Sequence, residues 1–105
     1  MLVYLATPYA KGDVAINVHN AIKLAEKVVE LGHTPYVPVW THFWHLISPH
    51  PWEYWLEIDM EIMLRCDCIL RGDGESKGAD MEVKKAQGIM PIYFSIEELK
   101  GGQNG

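Results

Sequence analysis

The sequence predicts a single α/β domain, a doubly wound parallel sheet of four or five strands with helices on both faces. Three observations predict it. Short apolar runs at residues 2–6, 34–37, 68–70 and 90–94 alternate with longer stretches of helical periodicity, the pattern of a sheet covered on both sides. Residues 2–37 hold a strand, a helix and a second strand, a βαβ unit whose crossover is right-handed and whose strands are parallel. The length, 105 residues, suits one domain, which at this size buries roughly 60–70% of its unfolded surface without disulfides or a structural metal.

Composition narrows the function. Apolar residues make up 49% and charged residues 22%, ordinary for a folded globular chain and unlike a disordered one. Net charge is −5, from 9 basic and 14 acidic residues with no Lys/Arg cluster, the wrong balance for a partner made of polymeric nucleic acid. The segment MLVYLATPY has no charged n-region and too short an apolar run for a signal peptide or a membrane span, so a cytoplasmic location with no membrane partner is expected. Cys66 and Cys68 flank a strand start and are expected to point the same way as reduced core thiols. With no second pair to complete a zinc site, neither metal nor cofactor is expected.

The first strand, Leu2 to Ala6, stops at Thr7-Pro8 because proline cannot continue a central ladder. Residues 7–12, TPYAKG, form a loop, and Asp13 is placed to cap the next helix. That helix carries its apolar stripe at Val14, Val18, Ala21, Ile22, Ala25, Val28 and Val29. Gly32 closes it as the glycine after the C-cap, ahead of a second strand at Thr34 to Val37.

Residues 38–55, PVWTHFWHLISPHPWEYW, hold all four tryptophans and His42, His45 and His50. They are read as a long aromatic loop, and long loops in compact domains are commonly functional. Three uses stay open. His42 and His45 form an H-x-x-H pair with His50 nearby, but no carboxylate stands at a known ligand spacing. Trp40, Phe43, Trp44 and Trp52 could make a lid on which a planar ring stacks. The same residues suit a small aromatic core patch or a subunit interface.

A helix is predicted from Trp52 to Arg65, with Glu53, Glu57, Glu61 and Arg65 on its wet side and Trp55, Ile58, Ile62 and Cys66 on its dry side. Asp59 falls within the dry stripe, where a carboxylate is costly unless paired or used. The alternative is an aspartate that caps a loop or bonds a tyrosine. A third strand, Cys68 to Leu70, gives way through a polar loop, residues 71–77, to a helix that runs to Gly88. Gly78 permits a tight turn and close approach of a ligand, and the free N–H groups of the helix start suit an oxygen-rich group. Glu82 lies one turn inside with Ala79 and Ala86 on its face. A solvated carboxylate paired with Lys84 or Lys85 is the competing reading of Glu82. The fourth strand, Met90 to Phe94, precedes a helical turn at Ile96 to Lys100 capped by Ser95, and residues 101–105 are expected to be a flexible tail after a domain of residues 1–100.

In a doubly wound sheet the ligand site lies beyond the carboxyl ends of the strands. The loop 7–12, the aromatic segment and residues 71–78 would meet there, with Asp59 and Glu82. Two carboxylates beside a planar-ring pocket suit glycosidic chemistry, one as nucleophile and one, kept protonated, as acid. YLATPY at the start, the D-x7-D spacing of Asp59 and Asp67, and S-x-G-x-x-x-E from Ser76 to Glu82 followed by Ala86 and Gly88 resemble the nucleoside 2-deoxyribosyltransferase superfamily. The likeness extends to its small uncharacterised members and its 2'-deoxynucleoside 5'-monophosphate N-hydrolases.

That resemblance implies a flavodoxin-like, Rossmann-like fold and N-glycosidic cleavage of a nucleoside or nucleoside 5'-monophosphate through a covalent glycosyl-enzyme. It implies Glu82 as nucleophile and Asp59 as proton donor to the base. Tyr4 and the loop Thr7, Pro8, Tyr9, Lys11 and Gly12 match the sugar-lining segment. Ser76 and Gly78 match the turn that meets the substrate, Ser76 at a position used for phosphate in the nucleotide hydrolases. Trp40 and Trp44 are the expected stacking rings, and Lys11 or Lys77 could add charge to a phosphate grip. Family members build their sites at a subunit interface, so a homodimer is expected.

Overall fold

The computed structural model describes residues 1–38 and 40–103. Its elements run β1 (Leu2–Ala6), α1 (Val14–Glu30), β2 (Thr34–Tyr36), α2 (Trp40–Ile47), α3 (Trp52–Met63), β3 (Cys68–Arg71), α4 (Lys77–Ala86), β4 (Ile92–Tyr93) and α5 (Ile96–Gln103). The four strands pair in parallel in the order β2-β1-β3-β4, so the expected doubly wound sheet is present with four strands. β1 is central. Successive strands leave it in opposite directions, and the switch of direction falls between β1 and β3, where Ala6 is in register with Arg71.

Alternation along the strands divides the core in two. Tyr4, Ala6 and Ile69 face one way, against Met63 from α3 and Ala79, Val83 and Ala86 from α4. Val3, Leu5, Cys68 and Leu70 face the other way, against Val28 from α1 and Leu99 from α5. Strands buried on both faces read as unbroken apolar runs, which is how LVYLA and CIL read in the chain. Helix signals also hold. The Asp13 side chain accepts from the amides of Ala15 and Ile16 at 2.9 and 3.2 Å, and Gly32 adopts φ +87° just past the end of α1.

Several expectations are corrected. Residues 38–55 are not one loop, because Trp40–Ile47 is helical. Pro38, Pro49 and Pro51 all lie outside those eight residues, so nothing in WTHFWHLI breaks a helix. Cys66 and Cys68 do not point the same way. The chain bends at 66–67, and the two thiols pack on opposite faces of the sheet, both free. α5 continues through Gly101 and Gly102 to Gln103, beyond the single turn expected, while the final two residues of the expected tail, 104 and 105, lie outside the described residues. α3 and β4 are shorter at their ends than the periodicity suggested. No helix among the described residues is long and apolar enough to cross a membrane.

Leu70 is fully buried at the centre of the sheet, while Val29 is an exposed residue of α1. Leu70→Ala should cost about 2–5 kcal/mol in urea unfolding, and Val29→Ala about 0.5 kcal/mol or less. Equal midpoints for the two variants would contradict this placement of the core.

Candidate active site

Glu82 faces inward from α4 and is 6% exposed. The helix holds it there because Ala79, Val83 and Ala86 occupy the same buried side, and two of those residues are small enough to bring the helix axis close to β1. The hydroxyl of Tyr4, itself fully buried in β1, donates a hydrogen bond to Glu82 Oε2. Tyr4 in turn lies parallel to Tyr36 of β2, ring centroids 5.9 Å apart. Glu82 is therefore no solvated helix carboxylate paired with Lys84 or Lys85.

Asp59 comes to the same place from α3. Its carboxyl is largely withdrawn from water, and Oδ1 is buried with no hydrogen-bond partner. Burial pushes the Asp59 carboxyl up to about 7, and the negative charge of Glu82 adds to the rise. Burial also pushes Glu82 up to about 7, although the Tyr4 hydrogen bond and the positive charge of Arg71 work against it. Burial, followed by the charges of Glu82 and Asp59, holds the Tyr4 hydroxyl protonated far above its ordinary range. Two carboxyls in one low-dielectric space favour sharing one proton. The hydrogen bond from Tyr4 favours charge on Glu82, and the orphaned oxygen of Asp59 favours the neutral acid there.

The loops after β1 and β3 leave the sheet side by side. The Gly72 amide donates to Ala6 O at 2.9 Å. A Cβ on Gly74, which has φ +109°, would fall 2.9 Å from Cγ of Pro8, so this position needs glycine both for its backbone and for the packing. Lys11 reaches across to Glu75 at 2.7 Å. Asn17 Nδ2 donates to the carbonyls of Tyr9 and Lys11 at 2.8 and 2.7 Å. These contacts tie Pro8, Tyr9 and Lys11 to the loop after β3 and to α1, with Gly12 at φ +82° beyond them. Ser76 caps α4 by accepting from the Ala79 amide at 3.1 Å. The Trp52 indole nitrogen lies 3.6 Å from where a Cβ of Gly78 would be, and Lys77 Nζ stands 5.4 Å from the Trp52 ring centroid.

The aromatic segment is less available than expected. Trp44 is half-buried edge-on to Tyr54 and Trp55, at 5.9 and 5.0 Å between centroids, and so belongs to the α2–α3 packing. The side chain of Trp40 lies outside the described residues. The histidines are divided among separate contacts. His42 Nδ1 bonds the Tyr9 hydroxyl, His45 Nδ1 accepts from Trp55 Nε1 at 2.9 Å, and His50 stacks on Tyr54 at 3.9 Å. Among the described residues no three His, Cys, Asp or Glu side chains are arranged to hold a metal. A groove of about 690 Å³ does open between α1 and the start of α5, lined in part by Thr7, Pro8, Lys23, Gly72 and Ser95. Neither Glu82 nor Asp59 borders it.

One residue joins the site that the sequence did not mark for it. Arg71, placed in a polar loop by composition, ends β3 and turns its side chain toward α4. The signal was its parity with Ile69, which faces α4. Trp52 was one of several rings considered, and only the α3–α4 packing singles it out.

A family model described as a domain of unknown function (DUF7768) matches residues 1–94. No curated protein matches the chain. Among solved structures it is similar to a 2-deoxyribosyltransferase from the psychrotolerant bacterium Bacillus psychrosaccharolyticus, with a TM-score of 0.64 and 17% identity over 88% of this chain and 69% of that one. The likeness is one of fold.

The raised carboxyls fix how stability varies with pH. Between pH of about 4, where unfolded carboxyls titrate, and the folded value of about 7 for both groups, the folded state retains protons the unfolded chain releases. Stability should therefore fall as pH rises through that window. Asp59→Asn, which removes one of the two charges, should be more stable than wild type at pH 8 by about 1–3 kcal/mol. Urea unfolding at pH 5 and pH 8 checks both, and equal wild-type stability at the two pH values would contradict the burial of the pair.

Proposed function

The chain belongs to the DUF7768 family, and from its site geometry we propose that it cleaves the N-glycosidic bond of a nucleoside or nucleoside 5'-monophosphate. The observation that carries the reading is the pairing of Glu82, bonded by the Tyr4 hydroxyl, with Asp59, which has a buried oxygen and no partner. That is one carboxyl poised to be ionised and one poised to be neutral, the division of labour that glycosidic chemistry requires. The shared fold with a 2-deoxyribosyltransferase is consistent with it.

In the first step a Glu82 oxygen attacks the anomeric carbon. The bond from that carbon to the base nitrogen breaks, its electron pair leaves with the base, and Asp59 donates the proton that neutralises it. In the second step water or a second base attacks the anomeric carbon. The bond to Glu82 breaks, the carboxylate is regenerated, and the incoming group's proton returns to Asp59. Tyr4 holds the unreacting oxygen of Glu82 and so aims the other. The loop 7–12 forms the wall beside the sugar, and Ser76 and Gly78, with Lys77 close by, form the polar end. Lys11 already pairs with Glu75, which leaves Lys77, held on the Trp52 ring, as the cation nearer an incoming phosphate. With Glu82 so nearly closed off, a sugar must displace one of its covering side chains.

The chain is also proposed to form a homodimer. Phe43, Leu46 and Ile47 present an exposed apolar face on α2. A light-scattering mass of one chain at micromolar concentration would speak against it.

Free-base release from a panel of ribo- and deoxynucleosides and their 5'-monophosphates, followed by chromatography with and without a second base, tests the reaction. Glu82→Gln should lose about 10³-fold or more in kcat, and Asp59→Asn about 10²- to 10⁴-fold. Because one group must be ionised and the other protonated, with both near 7, kcat/KM should peak in a narrow bell near neutral pH. Wild-type protein that binds these ligands without releasing base under any condition would make it a binding module.

A further inference from the structure

We propose that Arg71 is a positioning residue of this site: its guanidinium ties the loop after β3 to α4 and keeps a fixed cation beside Glu82. The inference rests on the reading of Glu82 as the group that must carry charge. It goes beyond that reading in assigning how the charge is maintained.

The geometry is that of a clamp. Arg71 is the last residue of β3, and its side chain is only 10% exposed. A guanidinium withdrawn from water needs its donors satisfied, and the local chain takes up four bonds from it. Nη1 donates to Gly72 O, Nη2 to Gly74 O at 2.8 Å, and Nη2 and Nε to Asp80 Oδ1 at 3.0 and 3.4 Å. The two carbonyls belong to the loop that leads into Ser76 and Gly78. Asp80 belongs to α4, one short step before Glu82. One planar fork therefore joins the strand end, the loop and the helix that carries the nucleophile, a span that a single ammonium cannot bridge in the same way. The Asp80 carboxylate is 69% exposed, so the pair adds little to stability and its effect is on orientation.

Glu82 is bonded by the Tyr4 hydroxyl from β1, with Tyr36 of β2 behind it, and feels the charges of Asp59 from α3 and of Arg71, whose side chain is fastened to α4 through Asp80. On α4 itself Asp80 and Lys85 are turned to solvent. Arg71 supplies the positive charge that opposes the effect of burial on Glu82. Together with the Tyr4 hydroxyl it makes ionised Glu82 attainable at neutral pH in a space that otherwise favours the neutral acid.

Carbon-13 NMR of the glutamate side-chain carboxyls reads this directly, with the Glu82 signal assigned by its loss in E82Q. In R71Q the Glu82 midpoint should move up by about 1 unit, whereas in R71K and D80N, which both keep the cation, it should stay within about 0.3 unit of wild type. The acid limb of the kcat/KM profile should move with the midpoint in R71Q. D80N, which loosens the clamp alone, should lower kcat about 3- to 10-fold with the limb unmoved. A folded R71Q with an unshifted midpoint overturns the proposal, and so does an R71K or D80N midpoint displaced by as much as R71Q is expected to be, which keeps the test decisive if R71Q does not fold. Wild type without turnover but with the R71Q shift removes the glycosidase reading and leaves the assignment of Arg71 standing.

Discussion

The hydrogen bond from the Tyr4 hydroxyl to Glu82 joins the central strand to the helix packed over it, and the rest of the site depends on it. A carboxylate taken out of water is costly unless it is held by donors or by opposite charge. Glu82 has one of each, Tyr4 within β1 and Arg71 at the end of β3. Both come from strands that lie side by side at the point where the strand order reverses. The topology thus dictates the chemistry: parallel neighbours present the same face to the helix packed over them, so residues of both strands and the loops that follow can act on one helix. Asp59 approaches from α3 with a buried oxygen unmet, and the imbalance between the two carboxyls follows from what each can reach.

Much of this was legible in the chain. LVYLA and CIL are uninterrupted apolar runs because their strands are covered on both faces, and Asp13 and Ser95 act as caps because their oxygens answer amides the helices leave unpaired. Asp59 could be singled out because a carboxylate in a dry stripe breaks the periodicity around it. Glu82 was harder. Its small neighbours Ala79 and Ala86 hinted at room beside it, but a lysine three residues on offered an equally good local explanation, and only the position of Tyr4 excludes that.

What the chain did not disclose is mostly long-range or conformational. WTHFWHLI has few strong helix formers and three flanking prolines, so local preference pointed to a loop, whereas packing of Trp44 against Tyr54 and Trp55 supplies what propensity does not. The same packing occupies His45 and His50, while His42 is taken up by the Tyr9 hydroxyl. Arg71 was passed over as a functional residue because its parity with Ile69 gives only the face it occupies, whereas its partners, two loop carbonyls and Asp80, are set by how the chain turns at Gly74.

The separation of Tyr4 from Glu82, 78 residues along the chain, also bears on how the protein acquires its shape. β1 is the centre of the sheet, yet one of its two partners is β3, in the second half of the sequence. Closing so long a loop must precede any reward from the pairing, which makes folding of such topologies slow compared with helical bundles of equal size. During synthesis β1 and α1 emerge early, able to pair with β2 but with the other edge of β1 open. Until β3 arrives, that edge is an unpaired apolar strand of the kind that seeks other chains. The arrangement that lets two adjacent strands serve one carboxylate is also what leaves that edge of β1 open from its own synthesis until β3 has been made.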